Sequence, residues 1–261
     1  MQFNRVKAIV WRQFLPLKRD VYRYVDLFYW PFFDLLVWGF AGVLMQKTCS
    51  TQTSIALLTA LVGWLVINRI HLELAYNLVE EMWSENITNL FATPLSVAEW
   101  ATASLLTGVI KGTIALLFGT AVVYFLYGLP LVSFLCHLVP FLPLLWLSGW
   151  FLGFTALSIL VSLGQRANSA IWIIGWCATP FSGIFYPISI LPGWAQRIAH
   201  LLPTTPIFTL MRTFVETGTL SGSMWIKACA INLLCCGLAY GLFHMMFART
   251  KRTGLAQLNK S

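Results

Sequence analysis

Charged side chains inside long apolar runs are the first residues of this sequence whose types could do chemistry. Asp34 stands in one such run and Lys111 in another, each about ten residues from the start, where a charge costs at least ~2.5 kcal/mol on insertion scales. The two are expected to pair at similar depth or to line a common polar strip. The alternative is that Lys111 snorkels to the interface and Asp34 caps a neighbouring helix. Arg69, His71 and Glu73 form a second group. His-x-Glu offers two metal-ligand types, but residues two apart point to different sides of a helix, so a solvated or interface cluster is expected rather than a metal site. His137, His200 and His244 stand alone and read as packing or interfacial residues.

A second set is acidic. Between Tyr76 and Phe91 the pattern is helical: Leu78, Met82 and Trp83 can share one face, with Glu81 and Glu85 one turn apart on another and Glu80 beside them. The helix should end at Thr93-Pro94, because proline disfavours helix at the residue before it. An acidic, partly apolar helix of this kind suits docking into a partner's groove, with a solvated loop helix as the alternative.

A third set breaks the backbone. Ser182-Gly183-Ile184-Phe185-Tyr186-Pro187 through Leu191-Pro192-Gly193-Trp194 follows an apolar run, and Pro and Gly there cannot continue an ordinary helix across lipid. Such a segment needs protein or water around it and is expected to shape a path or gate, with Phe185, Pro187, Pro192 and Trp194 as candidates. Phe28, Tyr29, Trp30, Phe32 and Phe33 read as an interfacial belt, or alternatively as a path for sugar rings or acyl chains. No Gly-x-x-x-x-Gly-Lys-Ser/Thr occurs, so the chain is not expected to hydrolyse ATP alone, and energy must come from a partner or a gradient.

The elements that must position these residues follow from composition. Of 261 residues 58% are hydrophobic and 10% charged, against roughly 25% charged in a soluble domain. The expected fold is all-α, a single membrane domain over 1–261 with six transmembrane helices. The candidate spans are Leu27 to Met45, Ile55 to Ala75, Ala101 to Tyr127, Leu131 to Leu163, Ser169 to Phe185 and Trp225 to Ala248, each near the ~20 residues a crossing needs or longer. Pro140 and Pro143 suggest a kink in the fourth. Before the first span, Phe3, Val6, Val10, Phe14 and Leu17 recur at helical spacing among basic residues, giving an amphipathic interfacial helix over 1–24. The cytosolic loop is 76–97 and the outer, re-entrant segment 186–223.

The net charge of +8 sits mainly at the ends. Arg5, Lys7, Arg12, Lys18, Arg19 and Arg23 precede the first span and Arg249, Lys251, Arg252 and Lys260 follow the last, with Arg166 in a third inner turn. Lys47, Arg197, Arg212 and Lys227 fall outside. Both termini are therefore expected in the cytoplasm, with the charge serving topology and membrane lipid rather than nucleic acid. The N-terminus does not read as a cleaved signal peptide. Six cysteines show no metal spacing and no disulfide framework is expected.

The run Leu90-Phe91-Ala92-Thr93-Pro94-Leu95-Ser96 resembles the segment that leads from the cytosolic coupling helix into the third span of ABC-2 type permeases. The run from Ser182 through Trp194-Ala195-Gln196 to Leu202-Pro203, with Arg212 beyond, resembles that family's re-entrant region before the last span. Where the family carries a Glu-Arg-Gly-Thr-like stretch, this chain has Trp83-Ser84-Glu85-Asn86, which makes the docking surface more acidic. The resemblance implies a permease of the bacterial cytoplasmic (inner) membrane that dimerises and pairs with two cytosolic ATP-binding subunits. ATP and Mg would be held by those subunits, with no cofactor or metal in this chain. Glu80, Glu81, Trp83, Glu85, Thr93 and Pro94 would receive motion from the ATPase. An amphiphile, a drug, lipid or lipid-linked glycan, would move along a path bounded by the first, second and fifth spans. An intramembrane lipid-modifying enzyme would need a convergent catalytic set, and only Asp34, Lys111 and His71 are near membrane depth. A non-transporting assembly or sensing protein is the third alternative.

Overall fold

The computed structural model describes residues 2–15, 21–46 and 51–254. Lys18, Arg19, Lys47, Lys260, Leu17 and Cys49, used in the reading above, lie outside them. The described chain is helical: α1 (Phe3–Phe14), α2 (Val21–Gln46), α3 (Thr51–Trp83), α4 (Ile87–Ala92), α5 (Val97–Tyr127), α6 (Leu131–Leu138), α7 (Leu142–Leu163), α8 (Asn168–Ala178), α9 (Gly193–Leu201), α10 (Thr204–Thr217) and α11 (Gly222–Thr253), with short 3₁₀ turns between some of them.

Among the described residues, four stretches are long and apolar enough to cross a membrane: Gln52–Trp83, Val97–Tyr127, the interrupted run Leu131–Phe181 and Gly222–Arg252. A six-span count requires two further conditions. The 26-residue α2, with Pro31 inside it, would have to cross, and the 51-residue run would have to cross twice by folding at Gly164. At that point α7 ends on Gly164 with φ 69, a 3₁₀ turn follows over Gly164–Ala167, and α8 packs back against α7.

Two expected boundaries move. The second span does not stop at Ala75; α3 continues to Trp83 because Leu78, Val79 and Met82 stay buried against the core. The single helix expected over 76–91 is therefore two pieces, the end of α3 and the short α4, separated at Ser84–Asn86, where Glu85 adopts φ 54. The fifth span is shorter than Ser169 to Phe185, since α8 ends at Ala178 and a 3₁₀ turn over Thr179–Phe181 carries Pro180. The kink expected in the fourth run is present: a 3₁₀ turn over Val139–Phe141 separates α6 from α7.

At the centre lies α3, with almost every side chain from Ala56 to Val79 buried. Its neighbours reach it through small residues, the usual way helices approach closely without a hydrophobic drive between them. Gly108 and Gly112 of α5 face Ile70 and Leu74 from one side, and Gly149 and Gly153 of α7 face the same pair from the other. A Cβ on Gly149 would lie 2.7 Å from Ile70 Cβ, closer than real contacts allow.

The segment after α8 folds back into the bundle. Ser182 and Thr204 share a hydroxyl–hydroxyl bond of 2.7 Å, Thr205 donates to the Phe181 carbonyl at 3.2 Å, and Arg212 donates to the Gly183 carbonyl at 3.3 Å. Phe208 and Met211 of α10 pack at Gly63, which lies ~18 Å along α3 from its first residue at 1.5 Å per residue. Asn232 of α11 accepts from Ser148 at 2.7 Å and donates to the Pro203 carbonyl at 2.9 Å, fixing the return of this segment to the bundle.

Gly149→Ala is expected to lower stability by about 1–3 kcal/mol through overpacking against Ile70. Gly241→Ala, where nothing lies within 4 Å, should be neutral or gain up to about 1 kcal/mol of helix propensity. Thermal unfolding of both variants in the same detergent checks this.

Candidate functional site

Two regions collect the residues singled out by sequence, one at the end of the bundle where α1, α4 and the start of α5 meet, the other within the bundle.

At the first, α5 begins with a capping box: Glu99 N–H donates to Ser96 Oγ at 3.2 Å and Ser96 N–H donates to Glu99 Oε2 at 3.0 Å. The same carboxylate accepts the backbone N–H of Gln2 at 2.7 Å and faces Arg5 at 3.7 Å, while Arg5 also donates to the Pro94 carbonyl at 2.5 Å. Further along α1, Gln13 donates to Ser104 at 3.3 Å and accepts from Thr107. The elbow helix is thus fastened along the first turns of α5. It is also fastened to α3, because Arg12 pairs with Glu81 at 2.6 Å, and Asn86 donates to the other oxygen of Glu81 at 2.7 Å.

Glu81, expected to take part in partner docking, is bound within the chain by Arg12 and Asn86. Glu80 too has interactions within the chain. The outward residues are Trp83, 57% exposed, with Ser84, Glu85, Thr88, Asn89, Thr93 and Pro94. Thr93 donates to the Leu90 carbonyl at 2.6 Å and so closes α4, whose Ile87, Leu90 and Phe91 are buried against the bundle. Glu85 lies in the left-handed region, where a Cβ is unfavourable. Glycine would sit there without that cost.

Within the bundle, Lys111 of α5 pairs with Glu73 of α3 and not with Asp34. Both partners are nearly excluded from solvent, and the Phe14 ring of α1 lies 5.8 Å from the ammonium. The expected Asp34–Lys111 contact is absent: Lys111 reaches Glu73 on α3, whereas Asp34 lines a cavity between α2, α3 and α8. Arg69, one turn before Glu73 on α3, pairs with Asp26 of α2 at 2.7 Å. The Arg69–His71–Glu73 group is therefore buried and split between two ion pairs, instead of being solvated. His71 is fully buried and neither of its ring nitrogens has a hydrogen-bond partner; it packs where Gly175 lets α8 approach α3.

Asp34 has no hydrogen-bond or ion-pair partner among the described residues. It lines a cavity of about 400 Å³ enclosed by α2, α3, α8 and the chain just beyond α8. On α2 the lining residues Asp26, Trp30, Asp34 and Trp38 recur every fourth position, one stripe of alternating carboxylate and indole. Trp64, Trp172 and Trp176 face them from α3 and α8. Phe185 belongs to the same wall, its ring 4.5 Å from that of Trp38. Pro187, Pro192 and Trp194 do not line it: the two prolines start a 3₁₀ turn and α9, and Trp194, largely exposed, packs edge-on to Phe181. Sequence reasoning missed Glu99, although Ser96-x-x-Glu99 before an apolar run is a capping signal. It also missed Asp26, for which the fourfold spacing on α2 was the available signal, and Trp64, Trp172 and Trp176, which no local pattern marked.

A family model described as ABC-2 type transporter matches residues 4–215. No curated protein matches the chain.

Glu99→Gln removes the charge that holds Gln2 and Arg5. The expected outcome is faster proteolysis and hydrogen exchange across residues 3–14, with the α3, α5 and α7 amides unchanged. For the buried pair, Glu73→Gln and Lys111→Met singly should each cost about 3–5 kcal/mol, and the double variant less than their sum. Denaturation of the three variants in one detergent measures the coupling, and additive losses would refute it.

Proposed function

The chain belongs to the ABC-2 type transporter family, and from that premise we propose that it is the membrane-spanning permease of an ATP-driven exporter, moving an amphiphile out across the cytoplasmic membrane. The carrying observation is the cavity between α2, α3 and α8, an aromatic chamber with a carboxylate in its wall that has no partner among the described residues. Members of this family are membrane transport components that generally lack an ATPase site and normally work with ATP-binding subunits. Two such subunits and a second permease copy with six spans each, both termini cytoplasmic, form the proposed assembly. Trp30, Trp38, Trp172 and Trp176 are between 41 and 70% exposed on the open side of the cavity, and this face is where a second copy would complete the path. Phe185 on Trp38 would close the outer end.

The outward turn Trp83–Glu85 with Thr88, Asn89, Thr93 and Pro94 is the surface offered to the ATPase. Because Glu81 and Arg5 bind α1 to α3 and α5, a push at this turn would move the elbow and the cavity-forming α3 together. ATP binding would favour one arrangement of the bundle and hydrolysis would reset it.

The test is co-purification with an ATP-binding subunit and comparison of ATPase rates with and without the permease. A complex with permease-dependent ATPase is expected. A Trp83→Ala, Glu85→Arg variant should lose at least about 90% of the stimulation, equivalent to ~1.4 kcal/mol of coupling, and remain folded. Failure of any ATP-binding subunit to associate would overturn the reading.

A further inference from the structure

We propose that the cavity between α2, α3 and α8 takes a lipophilic cation. This rests on the transport reading of the same cavity and names the class of its substrate. Three charged residues line the chamber: Asp26, Arg69 and Asp34. Arg69 and Asp26 are 2.7 Å apart and neutralise each other. Asp34 is left with no counter-charge among the described residues, set into walls of low polarity where charges interact more strongly than in water. An occupant bringing one positive charge balances the chamber, a neutral sugar leaves the carboxylate uncompensated, and an anion adds a second like charge.

The aromatic walls point the same way. Trp30 and Trp38 flank Asp34 one turn before and one turn after it on the α2 stripe, with Trp64, Trp172 and Trp176 opposite. Indole faces attract cations through the ring quadrupole, most strongly where water is excluded, and aromatic cages are a recurrent way of holding quaternary ammonium groups. They also present broad apolar surface to the remainder of an amphiphile. Arg69 Nε is buried and has no hydrogen-bond partner, so an anion has one donor to find here; a probe of opposite charge and equal shape therefore belongs in the test.

The probes are radiolabelled tetraphenylphosphonium and tetraphenylborate, isosteric ions of opposite sign, binding to the purified chain in phosphatidylglycerol nanodiscs with empty-disc partitioning subtracted. Saturable tetraphenylphosphonium binding is expected, weakened roughly tenfold or more by Asp34→Asn and preserved by Asp34→Glu, with no saturable tetraphenylborate binding to the parent chain. Each variant is scored only if its thermal unfolding matches the parent; should Asp34→Asn fail that criterion, Trp172→Leu on the opposite wall takes its place with the same expected weakening. Equal phosphonium binding by parent and folded variant, or saturable binding of the borate in preference, overturns the proposal. Nanodiscs rich in phosphatidylcholine identify the natural source: displacement of the phosphonium marks a lipid headgroup and undiminished binding a free cation, and both uphold it. The ATPase assay above separates the two readings. Permease-dependent ATPase without charge discrimination removes the cation and leaves the transporter, whereas cation binding with no associating ATP-binding subunit leaves the chamber chemistry and removes the transporter.

Discussion

Burial of α3 on all sides is the constraint from which the rest of the bundle follows. A helix with no free face must settle its charged side chains against protein, because a charge left alone in such surroundings is severely unfavourable. Arg69 therefore requires Asp26 from α2, Glu73 requires Lys111 from α5, and the helices carrying those partners are each tied to α3 by charge. The glycines of α5 and α7 complete the arrangement by letting both backbones close on Ile70 and Leu74. Position around α3 is thus specified by charge, and distance from it by the absence of side chains.

The end of the bundle where α1 meets α5 obeys a related logic with more exposed cations. Glu99 satisfies the start of α5 and the start of α1 with one carboxylate, and Glu81 joins α1 to the loop after α3. Surface pairs contribute little stability individually. Here they are linked through Ser96, Gln2, Arg5, Arg12 and Asn86, so their effect is geometric: the amphipathic helix, the α3 end and the α5 start form one connected unit.

Long apolar runs, the basic amphipathic start, the proline interruption at Pro140 and the folded segment after Ser182 were legible in the sequence, since each depends on local composition or on backbone chemistry. Which charge meets which was not. Asp34 and Lys111 lie at comparable places in their runs, but the choice of Glu73 for Lys111 depends on the rotation of α3 and on the order of helices around it, neither of which periodicity can reveal in a helix buried on every face. The same lack of an exposed face concealed the continuation of α3 through Leu78 and Met82, where Glu80 and Glu81 suggested the polar exterior of a separate helix. The cavity was half legible: Asp34 announced itself as a charge in an apolar run, while Trp172 and Trp176 passed as ordinary apolar residues until α8 brought them opposite.

The two buried pairs also govern how the chain can be made. Synthesis delivers α3 with Arg69, His71, Glu73 and Asn77 before Lys111 exists, and Glu73 has no compensating group until a further 38 residues have been added. A translocation channel releasing helices singly would pass this segment into lipid at a cost of several kcal/mol. Holding α3 back until α5 arrives would avoid that cost, so the ion pairs favour integration of these helices as a group.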